Sequence, residues 1–63
     1  MRMNLRRARA DLSMTIDEIA ESIHIHPRYY QKLECGSVIG SVSVWDRLED
    51  LTGIHQRVLR ENE

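Results

Sequence analysis

The sequence has no phenylalanine, one cysteine, one proline, one tryptophan and three glycines among its 63 residues. A lone Cys35 excludes an internal disulfide and suits a reducing compartment. With only Pro27 and three glycines there is no linker-like stretch, and a chain this short makes one domain at most, residues 1–63. No apolar run approaches the ~20 residues of a membrane span. The opening "MRMNLRRARADL" has arginines but no apolar core, so it does not read as a secretory signal. A cytoplasmic protein is expected. So small a chain does not easily wall off a deep substrate cavity, which argues against an enzyme. Its marginal core makes dimerisation a natural supplement.

What is present is charge, and it is segregated. The net charge is −1, which alone argues against a nucleic-acid partner. Yet residues 1–9 carry four arginines and no acid, and residues 10–22 carry four acids and no base. Residues 23–40 set Arg28 and Lys32 against Glu34. A basic face can therefore exist on a slightly acidic protein.

Periodicity predicts helices. Leu5, Ala8 and Leu12 mark an apolar stripe over roughly 3–11, with Arg6, Arg7 and Arg9 beside it. Thr15 and Glu18 form a T-x-x-E capping box, with Met14 and Ile19 spaced as a hydrophobic staple. Ile16, Ile19, Ala20 and Ile23 continue the stripe until "HIHP" ends it. Pro27 then suits the first turn of a new helix capped by His26, running to about Glu34 and closed by Gly36. Tyr30 and Leu33 should face inward; Arg28, Tyr29, Gln31 and Lys32 should face outward. "SVIGSVSVW" alternates like a strand, but a loop to about residue 40 is preferred. Ser41 or Ser43 then caps a helix with Trp45 and Leu48 inward, ended by Gly53. "IHQRVLRE" makes a last helix with Ile54, Val58 and Leu59 inward. The expected class is all-α, five short helices around a central helix-turn-helix.

The chain resembles the lambda-repressor/Cro-like helix-turn-helix family over residues 5–59. That family's second helix begins S/T-Q-x-x-L-A, where this chain has Thr15, Ile16, Ile19 and Ala20. An apolar–glycine–apolar–small turn follows, here Ile23, His24, Ile25 and His26. Two apolar positions then precede E-N-G, here Tyr30, Leu33 and Glu34-Cys35-Gly36, and an L-G-V/I appears as Thr52-Gly53-Ile54. Ile16, His24, Tyr30 and Cys35 depart from the pattern. Ile16 replaces a glutamine that often anchors the DNA backbone, and Cys35 replaces an asparagine.

A helix fits the major groove, and Arg28 can pair with guanine O6 and N7. Lys32 lies one turn along, Gln31 can pair with adenine, and Tyr29 offers a ring and a hydroxyl. The resemblance points independently to the positions of Pro27, Arg28 and Lys32 as base readers. Thr15, His26 and Ser37 are expected at phosphates, through backbone amides at Thr15 and Ser37. The resemblance also implies an ion pair between Arg9 and Glu34. The expected function is sequence-specific binding of double-stranded DNA by a small phage, mobile-element or bacterial transcriptional regulator acting by operator occupancy.

Other readings of the same residues are weaker. His24, His26 and Cys35, with His55, lack the paired spacing of a zinc site, so no metal or other cofactor is expected. A Cys35–histidine catalytic pair lacks a third group. The surviving alternative is a protein-interaction or antitoxin-like accessory module, favoured by the net charge and by Ile16. Val38, Ile39, Val42 and Val44 crowd the segment before the fourth helix, with Val58 and Leu59 near the end. Val38, Ile39, Val42 and Val44 are the expected interface of a homodimer, completed at least on DNA.

Overall fold

A computed structural model describes all residues 1–63. Five helices follow in order: α1 (Met3–Asp11), α2 (Ile16–Ser22), α3 (Pro27–Cys35), α4 (Val42–Thr52) and α5 (Gln56–Leu59). There is no strand, and no helix is long and apolar enough to cross a membrane.

The boundaries follow from local chemistry. Thr15 and Glu18 form the expected capping box: Glu18 N–H donates to Thr15 Oγ1 at 3.1 Å, and Thr15 N–H donates to Glu18 Oε1 at 2.9 Å. Pro27 occupies the first turn of α3, where a missing N–H costs nothing. Gly36 ends α3 and Gly53 ends α4, both left-handed, with φ of 92° and 75°. Ser41, rather than Ser43, caps α4 by accepting from Val44 N–H. The alternating "SVIGSVSVW" is thus a loop to Ser41 and then helix, because a serine cap and the Val44, Trp45, Leu48 stripe outweigh the period of two.

Eleven buried side chains form one cluster: Leu5, Ala8, Ile19, Ala20, Ile23, Tyr30, Leu33, Val44, Trp45, Leu48 and Leu59. Tyr30 and Leu33 point inward from α3, as their spacing requires. Gly40, at φ 84°, lies under Trp45. A Cβ there would stand 2.7 Å from both Leu33 Cδ2 and Trp45 Nε1. That close approach lets Trp45 Nε1 donate to Ile39 O at 2.8 Å.

Three apolar expectations are corrected. Leu12 is exposed, because α1 ends at Asp11 and the chain turns before the stripe reaches it. Val58 is exposed, since one turn of α5 offers the core a single position, taken by Leu59. Val44 is only 5% exposed and belongs to the core, so it drops out of the expected dimer face. Ile39 and Val42 remain on the surface at 76% and 75% exposure, while Val38 is half-buried against the core.

Candidate nucleic-acid interface

The turn between α2 and α3 is tight. Ile25 N–H reaches back to Ala20 O at 3.0 Å and His24 N–H to Glu21 O at 3.2 Å. To make this turn, His24 adopts φ 60°, the left-handed conformation that a side chain resists by about 1 kcal/mol. His26 then caps α3 by accepting Arg28 N–H on Nδ1 at 3.0 Å. In the neutral ring this leaves the proton on Nε2, a free donor at the exposed start of the helix.

Arg28, Gln31, Lys32 and Cys35 recur at intervals of three and four, so they form one stripe along α3. The stripe faces a cleft of about 510 Å³, completed by Arg6 and Arg9 from α1, Ile16 at the start of α2, Met1 and Glu34. Glu34 is the only acid there and is spent on Arg9. Arg28 and Lys32 are exposed, and no carboxylate of the chain pairs with either. Uncompensated cations on a concave surface concentrate positive potential.

The ion pair expected from the resemblance is present. Arg9 Nε donates to Glu34 Oε2 and Arg9 Nη2 to Glu34 Oε1, each at 3.0 Å, while Nη1 donates to Met14 O at 3.0 Å. The Glu34 bond holds the Arg9 guanidinium above its ordinary pKa, against desolvation. Tyr30 Oη lies buried with no hydrogen-bond partner. Burial, and then the Glu34 charge, push its pKa well up.

The structure divides the expected DNA contacts. Arg28, Gln31 and Lys32 share the cleft, whereas Pro27 and Tyr29 lie outside it, and Tyr29 packs partly on the core. Thr15 and Ser37 require correction as amide donors. The Thr15 amide is consumed by Glu18 and the Ser37 amide by Lys32 O at 3.0 Å. At these positions only the hydroxyls can turn to a phosphate, and both already bond locally. Helix geometry leaves the free first-turn amides of α2 one and two residues on, at Ile16 and Asp17. Arg6 completes the basic rim although no motif marked it; its spacing of three from Arg9 was the available signal. His26 and His55 each cap a helix through Nδ1, and no three histidine, cysteine or acidic side chains are grouped to hold a metal ion.

A turn of this geometry, placing a basic helix face on a concave surface, defines a helix-turn-helix. The model of the helix-turn-helix domain family matches residues 4–38, more than half of the chain, which takes in α1 from its second residue and all of α2 and α3. The chain belongs to that family, a DNA-binding and non-catalytic kind of domain. No curated protein and no solved structure matches it.

Proposed function

We propose that this chain is a single-domain, sequence-specific reader of double-stranded DNA on a lambda-repressor/Cro-like scaffold. It serves as a small phage, mobile-element or bacterial transcriptional regulator that acts in the cytoplasm by occupying its operator. The observation that carries this reading is the α3 stripe of Arg28, Gln31 and Lys32, whose two cations have no acidic partner in the chain. With α3 in the major groove, Arg28 reads guanine, and Gln31 and Lys32 read the next bases or hold phosphates. His26 Nε2–H and the open amides of α2 favour the backbone on either side. Pro27 contributes apolar contact at the first turn, and the Tyr29 hydroxyl reaches a phosphate.

Site selection from random duplexes, followed by titration of Arg28→Ala, tests it. The variant should lose about 1–3 kcal/mol on the selected site and little on random DNA. Equal losses on both make Arg28 a phosphate contact. Wild-type protein without salt-dependent duplex binding removes the DNA reading altogether.

A second reading has its own support. Ile16, Met1 and Cys35 give the basic cleft an apolar lining, and Ile39 and Val42 stand exposed. Such a surface also suits a protein partner, as in an antitoxin-like accessory module.

A further inference from the structure

Arg2 has no role in the reading above, yet it is the most unusual charge in the molecule. It precedes α1 and is only 6% exposed. Its Nε donates to Arg60 O at 3.2 Å, and its Nη1 donates to Leu33 O at 2.6 Å and Val38 O at 2.8 Å. The guanidinium carbon stands 5.2 Å from the Trp45 ring centroid. These bonds draw together the ends of α3 and α5 and the loop before α4. None of them neutralises the charge, for the one ion pair in the structure is Arg9–Glu34. Nη2 has no partner within the chain. Burial lowers the Arg2 pKa, and the nearby positive charge of Arg60 lowers it further. A buried cation beside a like charge favours any anion that can reach it.

The space beside it is open. A cleft of about 520 Å³ is lined by Arg2, Ile39, His55, Gln56, Arg57, Arg60 and Glu61. It shares no residue with the cleft on α3. Its single acid is engaged, because Glu61 Oε2 accepts from Asn4 Nδ2 at 2.9 Å. Gln56 Nε2 is likewise spent on Asp46 and Glu49. Arg57 and Arg60, three residues apart, are exposed, and neither pairs with an acid.

We propose that this second cleft is an oxyanion site for a phosphate group, held by Arg2 Nη2, Arg57 and Arg60. A carboxylate is satisfied by one forked arginine, whereas three guanidinium groups lining one cleft suit a tetrahedral anion, whose oxygens point in more than one direction. Inorganic phosphate and a phosphodiester of a bound duplex present the same chemistry.

The test begins without DNA. Melting is followed at pH 7 and constant ionic strength as sodium phosphate replaces sodium chloride. At about five times its dissociation constant, phosphate should raise the melting temperature by roughly 4–8 °C. Arg57→Gln/Arg60→Gln should fold as the parent and lose the rise; Arg28→Gln/Lys32→Gln should keep it. Arg2 itself is unsuitable, since its loss would also unpin three segments. No phosphate-specific rise, or a rise that persists in Arg57→Gln/Arg60→Gln, overturns the site. Duplex titration then distinguishes the sources. If DNA fills the cleft, the same double variant weakens duplex binding and flattens its salt dependence by about one phosphate contact for each arginine. If a free ion fills it, the double variant abolishes the phosphate effect on melting and leaves duplex binding unchanged. Arg28→Ala reads the α3 interface separately, so either interpretation can fail alone.

Discussion

Arg9 and Glu34 join α1 to the end of α3 through two parallel hydrogen bonds of 3.0 Å, with the arginine side chain 18% and the glutamate side chain 7% exposed. Because Arg9 also holds Met14 O, one side chain sets α1, the α1–α2 connection and α3 in a common frame. Glu34→Ala leaves this largely buried guanidinium without its carboxylate. It should destabilise the fold toward the lower end of ~3–5 kcal/mol, measured by urea unfolding. Replacing both partners, Arg9→Met with Glu34→Leu, should recover most of that loss. A double variant no better than Glu34→Ala would mean that the pair contributes stability of its own rather than merely compensating its desolvation.

Tyr30 predicts an alkaline limit to stability. Its hydroxyl is buried and unbonded, and its folded pKa is raised above the ordinary value of 10.0 by burial and by Glu34. The sign follows from proton binding. Below pH 10 both states hold the proton and the contribution is fully present. Above it the unfolded state releases the proton while the folded state keeps it, so stability falls by about 1.4 kcal/mol per pH unit until the folded pKa is reached. Tyr30→Phe should remove this part of the slope. It should cost little at pH 7, because the hydroxyl it deletes has no partner. An identical alkaline profile in the variant would assign the pH dependence to other groups.

His24→Gly relieves the left-handed backbone of the turn. Up to about 1 kcal/mol of strain is removed, partly offset by the greater freedom of glycine in the unfolded chain. A small rise in the urea midpoint is expected, with duplex affinity unchanged because His24 lies off the α3 cleft. A drop in stability would show that the imidazole makes compensating contacts.

Ile39 and Val42 are three residues apart and remain about three-quarters exposed. They are the part of the expected pairing surface that the core does not claim. Ile39→Asp should fold normally and bind a half-site nearly as before. Cooperative filling of a palindromic site should disappear, since pairing on DNA depends on the effective concentration that two half-sites provide. Retained cooperativity in Ile39→Asp would place the contact elsewhere, and independent filling by the parent would remove the dimer.

Much of this was determined by the sequence alone. The Thr15/Glu18 box, Pro27 after His26, and the glycines at 36 and 53 act within one turn of chain, so helix limits and the turn between α2 and α3 could be read locally. The inward pair Tyr30 and Leu33 also fixed by elimination which face of α3 stays outside. Only the tertiary structure decided the rest. Val44 and Leu59 lie in the core while Val42 and Val58 do not, because burial depends on how short helices are tilted against their neighbours. Ser37 loses its amide to α3's last turn, a bond between backbone atoms that no side-chain pattern encodes. Arg6 joins Arg28 and Lys32, and Arg2 meets Arg57 and Arg60, across separations that chain spacing cannot measure. Charge acts through space over several ångströms, so the two basic clefts exist only once the helices are packed.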